Sequence, residues 1–193
     1  AALGHPEMLR KNRRFPELFK KFGWCSWDAF YHKVNEDGLL DKVKELKEKG
    51  YTILAVGEMG IGNTTPTSVL AGLYLNKDAG EVTGKGAGLS CEGYERKCRA
   101  VERALTRIRA KHHTDPQELL AEGGGLEIAM MAGVFLGSVK EEIPVVLDGA
   151  ISCVAALAAY RIDCRVTDYL LPSHMSGEGT GAMALSALGL QAP

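Results

Sequence analysis

The sequence predicts an α/β fold: a three-layer sandwich with a parallel sheet of about four to six strands. Three observations predict it. Short apolar runs rich in β-forming residues alternate along the chain with longer amphipathic or alanine-rich segments, and this order is typical of parallel sheets. The runs are apolar at nearly every position, as expected for strands covered on both faces. They end in glycine or small polar residues, which favours turns into helices.

Composition and charge restrict the classes of protein that fit this chain. Its 193 residues are 46% hydrophobic and 24% charged, which excludes a disordered chain, and we expect one α/β domain over residues 1–193. The net charge of −1 argues against nucleic acid as a partner. No apolar run reaches the roughly 18 residues of a membrane span, and we expect no signal peptide at the start. We therefore expect a cytoplasmic (recombinant) protein.

The cysteines predict neither a disulfide framework nor a metal centre. Their number, five, is odd, and no two are separated by two residues as in a zinc-binding pair. We expect reduced thiols, no metal and no cofactor.

The first elements follow from short local patterns. The aromatic run at 22–27 predicts a buried strand, and the amphipathic helix after it should stop at Gly50. The continuous apolar run at 52–56 predicts the next strand. Asn63 or Thr64 is expected to cap the helix that follows.

The remaining chain repeats this alternation. Charged and apolar helical patterns are interrupted by glycine or proline, and two further apolar runs separate them. We predict helices at about 91–111, 115–123, 126–139, 151–160 and between 177 and 190, and strands at 144–149 and 166–171.

Unusual residues follow three of the predicted strands, at 57–65, 148–149 and 173–176. Ligands of open parallel sheets bind beyond the carboxyl ends of the strands, so these segments are expected to share one edge. Accessible glycine N–H groups, together with Asn63 and Thr64 at a helix N-terminus, predict an anion site. A tight turn between strand and helix is the alternative interpretation of the same residues.

Residues 84–88, which we call the glycine loop, are a fourth candidate for this edge. Gly84 and Gly86 could cradle a phosphate group, although a flexible surface loop has the same composition. The loop is not a P-loop, because no Gly-Lys-Ser/Thr follows at the required spacing. Lys97, in the next helix, could reach a phosphate or ribose, or could simply be a solvated lysine.

Three other side chains at this edge have alternative interpretations. Asp148 could order a hydroxyl group or a lysine, or could cap the helix after it. Glu58 could bind sugar hydroxyls, or could interact with the dipole of the next helix. His174 could be a general base, but no acidic partner is identifiable in the sequence, and a structural role is the more common one for such a histidine.

Five motifs resemble those of the nicotinate-nucleotide–dimethylbenzimidazole phosphoribosyltransferases, in the same order, over about residues 51–193. They are GEMGIGNTT at 57–65, GKGAG at 84–88, ERK at 95–97, VLDGAIS at 146–152 and SHMS at 173–176. The resemblance implies a Rossmann-like or flavodoxin-like sheet and a homodimer. It implies transfer of a phosphoribosyl group from nicotinate mononucleotide to 5,6-dimethylbenzimidazole, in cobalamin biosynthesis.

Residues 1–50 instead resemble the raffinose synthase and α-galactosidase group of glycoside hydrolases, through FGWCSWDAFY at 22–31. In that group the segment is the first β-α unit of a TIM barrel. We therefore expect a chimera joined near residues 50–51, in which a barrel fragment completes a Rossmann-like sheet. A junction inside a sheet, without a linker, indicates an engineered (de novo) protein. A sugar-binding fragment using Trp24, Trp27 and Asp28 is an alternative, but these aromatic residues are equally suited to a core.

The phosphoribosyltransferase resemblance implies roles for individual residues. Glu58 and Lys97 would contact ribose, and Gly60, residues 84–86 of the glycine loop and Ser173 would contact phosphate. Glu178, in the GEGTG stretch at 177–181, is the candidate general base. That stretch directly follows SHMS, where the family has a different helix first, so Glu178 is either the base or a coincidental match.

Three interpretations of the function remain open at this point. The first is an engineered α/β scaffold with a vestigial site for nicotinate mononucleotide or another phosphate-bearing small molecule, without turnover. The alternative is a minimal phosphoribosyltransferase that uses Glu178. A third possibility is a structural module that binds no ligand.

Overall fold

The computed structural model describes residues 45, 48–50, 52–58, 62–86 and 88–192. The chain divides into two compact units, Ala1–Glu48 and Lys49–Pro193, and nearly all described residues belong to the second. The predicted strand at 22–27 and the barrel-derived unit lie outside the described residues, except for residues 45 and 48–50 of that unit. That both units form one domain stays a prediction.

A parallel sheet of three strands organises the described part of the chain. The strands are β1 (Leu54–Val56), β2 (Val145–Leu147) and β3 (Leu170–Pro172), in the order β1-β2-β3. The parallel α/β fold is therefore confirmed, whereas the predicted four to six strands are not reached within the described residues.

Seven α-helices surround these strands in the described part of the chain. They are α1 (Thr64–Leu75), α2 (Ala79–Val82), α3 (Cys91–Arg109), α4 (Pro116–Gly123), α5 (Leu126–Glu141), α6 (Ala150–Ile162) and α7 (Gly179–Ala187). The sequence predicted all of them except α2. Asp78 and Glu81 form a capping box at α2, and this pair was the signal that the sequence offered.

The core is centred on α6, whose residues from Ile151 to Ala159 are all buried. Alanines dominate this stretch, so α1, α5 and α7 pack closely against it. Phe135 of α5 and Leu185 of α7 are among the largest buried side chains. The Ala-rich pattern thus produces the central helix of the fold rather than a surface helix.

Two details of the strand predictions are wrong. The outer strands are not covered on both faces, because Ala55 and Leu171 are exposed and share one face of the sheet in register with Val146. The strand predicted at 166–171 begins only at Leu170, since a 3-10 helix occupies Cys164–Tyr169. Asp163 accepts a hydrogen bond from the backbone N–H of Arg165, a local bond that competes with strand pairing.

The predicted stop of the first helix is confirmed. Glu45 and Glu48 are helical, and Gly50 follows with φ +76°, the left-handed conformation that ends many helices. No helix among the described residues is long and apolar enough to cross a membrane.

Candidate functional site

The carboxyl ends of the three strands lie side by side. Register pairs Val56 with Leu147 and Leu147 with Pro172, so the residues after them share one edge of the sheet. The Ser173 hydroxyl donates to the Asp148 carbonyl at 3.2 Å. A Cβ placed on Gly57 would lie 3.5 Å from Asp148 Oδ2. The structure thus brings together the strand ends that the sequence singled out.

The N-terminus of α1 differs from its predicted capping arrangement. Asn63 is the N-cap residue but makes no side-chain cap. Its Nδ2 instead donates to Glu58 Oε2 at 2.7 Å. Asn63 is only 7% exposed, and its Oδ1 finds no hydrogen-bond partner within the described part of the chain. The amide therefore orients the Glu58 carboxylate. Gly60 lies outside the described residues.

Lys97 projects from α3 towards the glycine loop and is buried, with 7% exposure. Its Nζ donates to the Gly84 carbonyl at 2.9 Å and to Thr64 Oγ1 at 3.0 Å. Burial lowers the pKa of Lys97 below its ordinary value of 10.5, and the nearby negative charge of Glu178 opposes that shift. The interpretation as a solvated lysine is therefore wrong: this ammonium group joins α1, α3 and the loop.

Glu178 contacts the same loop from the N-terminus of α7. Its Oε1 accepts a hydrogen bond of 2.8 Å from the backbone N–H of Gly86, across 92 positions of sequence. A Cβ on Gly84 would lie 2.5 Å from Glu178 Cδ and closer still to Oε2. The carboxylate thus occupies the space that a side chain at Gly84 would fill, and it would have to move aside for any larger residue. Gly86 has φ +57°, which disfavours any other residue.

These groups border a cleft of about 260 Å³. Four predicted residues line it: Glu58, Thr64, Gly86 and Glu178. Asn63 and Lys97 bond to the lining residues Glu58 and Thr64, and Gly84 accepts a hydrogen bond from Lys97. Asp148 and Ser173 lie at the strand ends outside the lining. The sequence analysis missed six lining residues, which are Thr67, Ser68, Ala150, Ile151, Ser176 and Thr180.

The sequence indicated the hydroxyl-bearing residues among these six only weakly. Thr67 and Ser68 lie one turn after the N-terminus of α1, and their hydroxyls donate to the carbonyls of Asn63 and Thr64. Thr180 donates to the Val82 carbonyl at 2.9 Å. Because their protons are engaged, the hydroxyl oxygens of these lining residues can act only as acceptors, a property suited to ligand hydroxyl groups.

His174 is not organised as a general base. Its Nδ1 lies 2.9 Å from the Ser173 hydroxyl, both residues are exposed, and no carboxylate of the described residues bonds to the ring. Within the described ranges, no group of three or more His, Cys, Asp or Glu side chains is placed so that it could hold a metal ion.

Comparison with known proteins identifies the family. A family profile described as Phosphoribosyltransferase matches residues 39–193. The chain belongs to this phosphoribosyltransferase family. A second profile, described as raffinose synthase or seed imbibition protein Sip1, matches residues 6–66. Both predicted resemblances are confirmed, and the predicted junction at 50–51 lies within the overlap of the two matches.

Curated relatives agree with the phosphoribosyltransferase match. The nicotinate-nucleotide–dimethylbenzimidazole phosphoribosyltransferase of Ruminiclostridium cellulolyticum is 42% identical over 156 residues, which are 81% of this chain and 44% of that protein. The enzyme of the same name from Alkaliphilus metalliredigens is 42% identical over 152 residues, 79% of this chain and 43% of its own length. The chain thus spans less than half the length of these relatives.

Solved structures of the family have the same fold. CobT from Thermus thermophilus superposes with a TM-score of 0.74 at 36% identity, covering 80% of this chain and 46% of that one. The nicotinate-nucleotide–dimethylbenzimidazole phosphoribosyltransferase of the same organism gives a TM-score of 0.71 at 36% identity, covering 80% and 44%. The roles predicted for single residues of this chain stay predictions.

Proposed function

We propose that the chain binds nicotinate mononucleotide in the cleft and transfers its phosphoribosyl group to a benzimidazole. The names of its relatives support this substrate pair, and so do the residues that border the cleft. The observation that carries the proposal is Lys97, a buried ammonium group between Thr64 and the glycine loop. A buried positive charge beside a backbone N–H is suited to a phosphate group.

The size and polarity of the cleft support a phosphoribosyl group as its occupant. Its 260 Å³ is slightly below the usual range of about 300–1,000 Å³ for whole small-molecule sites. The carboxylate of Glu58, held by Asn63, would accept hydrogen bonds from ribose hydroxyls. Thr67 and Ser68 line the same cleft.

Glu178 is the proposed proton acceptor. In the transfer, the bond from ribose C1′ to the nicotinate nitrogen breaks, and C1′ bonds to a benzimidazole nitrogen. Because the nitrogen that attacks carries no proton, the proton to be lost is the one on the other ring nitrogen, and a positioned carboxylate is a suitable base for it. Glu178 lines the cleft, and rotation of its side chain away from Gly86 N–H would bring the carboxylate to the acceptor.

One observation favours the second candidate, a binding scaffold without turnover. The Glu178 carboxylate is bonded to Gly86 N–H, so in this conformation one of its oxygens is engaged by the backbone. A nucleotide could bind in such a protein while the transfer fails for want of a base.

Binding and turnover are tested separately. At about 100 times its dissociation constant, nicotinate mononucleotide should add about 2.7 kcal/mol to the free energy of unfolding, a rise in Tm of roughly 5–10 °C. Lys97→Met should abolish most of this rise. The matched control Lys140→Met removes an exposed lysine of α5 and should leave it unchanged. Equal rises in both variants would contradict a phosphate site at Lys97.

Turnover is then measured as release of nicotinate in the presence of 5,6-dimethylbenzimidazole. Product in the parent chain, and none with Glu178→Gln, would support the transferase. Ligand binding without product in the parent would support the scaffold instead. No rise in Tm with millimolar ligand would contradict both.

We also infer that the chain joins segments of two different origins. The two family matches, to residues 6–66 and 39–193, support this, and an engineered chimera remains our interpretation of the junction. If both segments form one domain, calorimetry should give a single cooperative transition whose calorimetric and van't Hoff enthalpies agree. Two separate transitions would indicate independent units. A homodimer also stays a prediction, and light scattering tests it.

A further inference from the structure

An anion already occupies the glycine loop, and it belongs to the protein. The Glu178 carboxylate accepts a hydrogen bond from Gly86 N–H at 2.8 Å and fills the space beside the Cα of Gly84. Lys97 Nζ donates to the Gly84 carbonyl and would lie 3.8 Å from a Cβ on Gly86. A backbone N–H and a buried ammonium group are the elements that recognise a phosphate oxygen.

The carboxylate and a phosphate cannot use this position together. One N–H group serves one strong acceptor at a time, and two anions within a few ångströms repel each other strongly where water is partly excluded. The structure gives the side chain a place to go, because Glu178 also lines the 260 Å³ cleft. Its backbone is held by the N–H bond to Ser176 Oγ, so side-chain rotation alone would be enough.

We propose that Glu178 is a resident anion that an incoming phosphate group displaces from Gly86 N–H, so that phosphate binding turns this carboxylate into the cleft. The inference rests on the proposed function, which places a phosphate at the loop, and it adds an order of events. Before ligand arrives, the carboxylate compensates the buried charge of Lys97. After exchange, the phosphate compensates that charge and the carboxylate becomes available to accept a proton.

The exchange makes Glu178 an internal competitor of phosphate. Removing its charge should therefore strengthen phosphate binding, which is the opposite of what a direct ligand-binding residue would do. Glu178→Gln keeps the length of the side chain and a neutral acceptor, and Glu178→Ala removes the acceptor. Glu102→Gln is the matched control, because it removes one negative charge from an exposed position on α3.

The test is titration of each variant with inorganic phosphate at constant ionic strength, followed by the amide signals of Gly86 in NMR spectra. A hydrogen bond to a charged partner is typically strong enough to change an equilibrium about tenfold or more. We expect Glu178→Gln and Glu178→Ala to bind phosphate about tenfold more tightly than the parent. The Gly86 signal should shift on binding, and Glu102→Gln should stay within about twofold of the parent.

Unchanged or weaker phosphate binding in both Glu178 variants would overturn the displacement, as would binding that leaves the Gly86 amide unshifted. Absence of phosphate binding in every variant would overturn it as well. The proposed function is judged separately by the binding of nicotinate mononucleotide. If the parent binds the nucleotide but the Glu178 variants gain no affinity for phosphate, the proposed function stands and the displacement fails. If the variants gain phosphate affinity and no chain binds the nucleotide, the displacement stands and the proposed function fails.

Discussion

Replacement of Gly84 by alanine tests how Glu178 and the glycine loop are joined. The new Cβ would lie 2.5 Å from Glu178 Cδ and closer to Oε2. The atoms in the way are the far end of a flexible side chain, so the carboxylate can move aside without displacing the backbone. The cost of Gly84→Ala should then be the lost hydrogen bond between Glu178 and Gly86 N–H.

The size of that cost follows from the type of bond. A hydrogen bond to a charged group contributes about 1.5–3 kcal/mol, and alanine recovers roughly 0.4–1 kcal/mol because it restricts the unfolded chain. We expect Gly84→Ala to lower the free energy of unfolding by about 1–2 kcal/mol. For a chain of this length, that is a fall in Tm of roughly 2–8 °C.

A double-mutant cycle assigns the cost to the pair. In a Glu178→Ala background the bond is already absent, so Gly84→Ala should be neutral or slightly stabilising. Gly80→Ala is the matched control, because a Cβ at Gly80 meets no atom within 4 Å. Urea denaturation of the four chains of the cycle and of the control measures the coupling. A Gly84→Ala cost that is equal in both backgrounds, or no larger than that of Gly80→Ala, would refute the reasoning.

Three further predictions concern charge, thiols and packing. Burial lowers the pKa of Lys97, so between that lowered pKa and 10.5 the unfolded chain binds a proton more readily than the folded chain. The stability of the parent relative to Lys97→Met should therefore rise with pH through this window. Urea denaturation from pH 7 to 10.5 measures this difference in stability, which would be flat or would fall with pH if Lys97 were solvated. Burial raises the pKa of the Cys153 thiol to about 11, so iodoacetamide at pH 8 should modify the exposed Cys91 and leave Cys153 unmodified. Mass spectrometry of the treated native protein measures this, and modification of both cysteines would contradict the prediction. A Cβ on Gly72 would lie 2.9 Å from the methyl groups of a leucine in α3, so Gly72→Ala should destabilise the fold by about 1–3 kcal/mol. In the control Gly133→Ala the new Cβ meets no atom within 4 Å, so this variant should be neutral or should stabilise α5 by up to about 1 kcal/mol. Equal melting temperatures of the two variants would refute the packing argument.

The elements that the sequence predicted correctly depend on neighbours a few positions away. Apolar runs at 52–56 and 144–149 contain β1 and β2, and glycine or proline marks the ends of α4 and α5. The errors in predicted secondary structure arise where local hydrogen bonds compete with the structure that the apolar pattern indicates. Asp163 holds the chain in a 3-10 helix through Arg165 N–H, and the short helix α2 depends on a capping box rather than on an apolar period.

Part of the site could also be predicted, because parallel strands present their carboxyl ends at one edge. This rule placed Glu58, Asp148 and Ser173 at the same edge of the sheet. It did not distinguish the residue that lines the cleft, Glu58, from the two at the strand ends outside it. The sequence pattern did not predict the burial of Lys97 either, since the residues around it come from α1 and the glycine loop rather than from α3.

Patterns along the sequence were enough to predict the parallel α/β class, most helix boundaries, the family and the edge of the sheet at which the candidate site lies. Periodicity, capping and glycine placement are local properties, so they can be read without knowing the fold. The contact between Glu178 and Gly86 is visible only in the folded chain. That contact follows from the packing of α7 on α6, where a Cβ on Gly181 would lie 3.2 Å from Ala150 Cα. No pattern along the chain encodes an approach that close between segments so far apart in sequence.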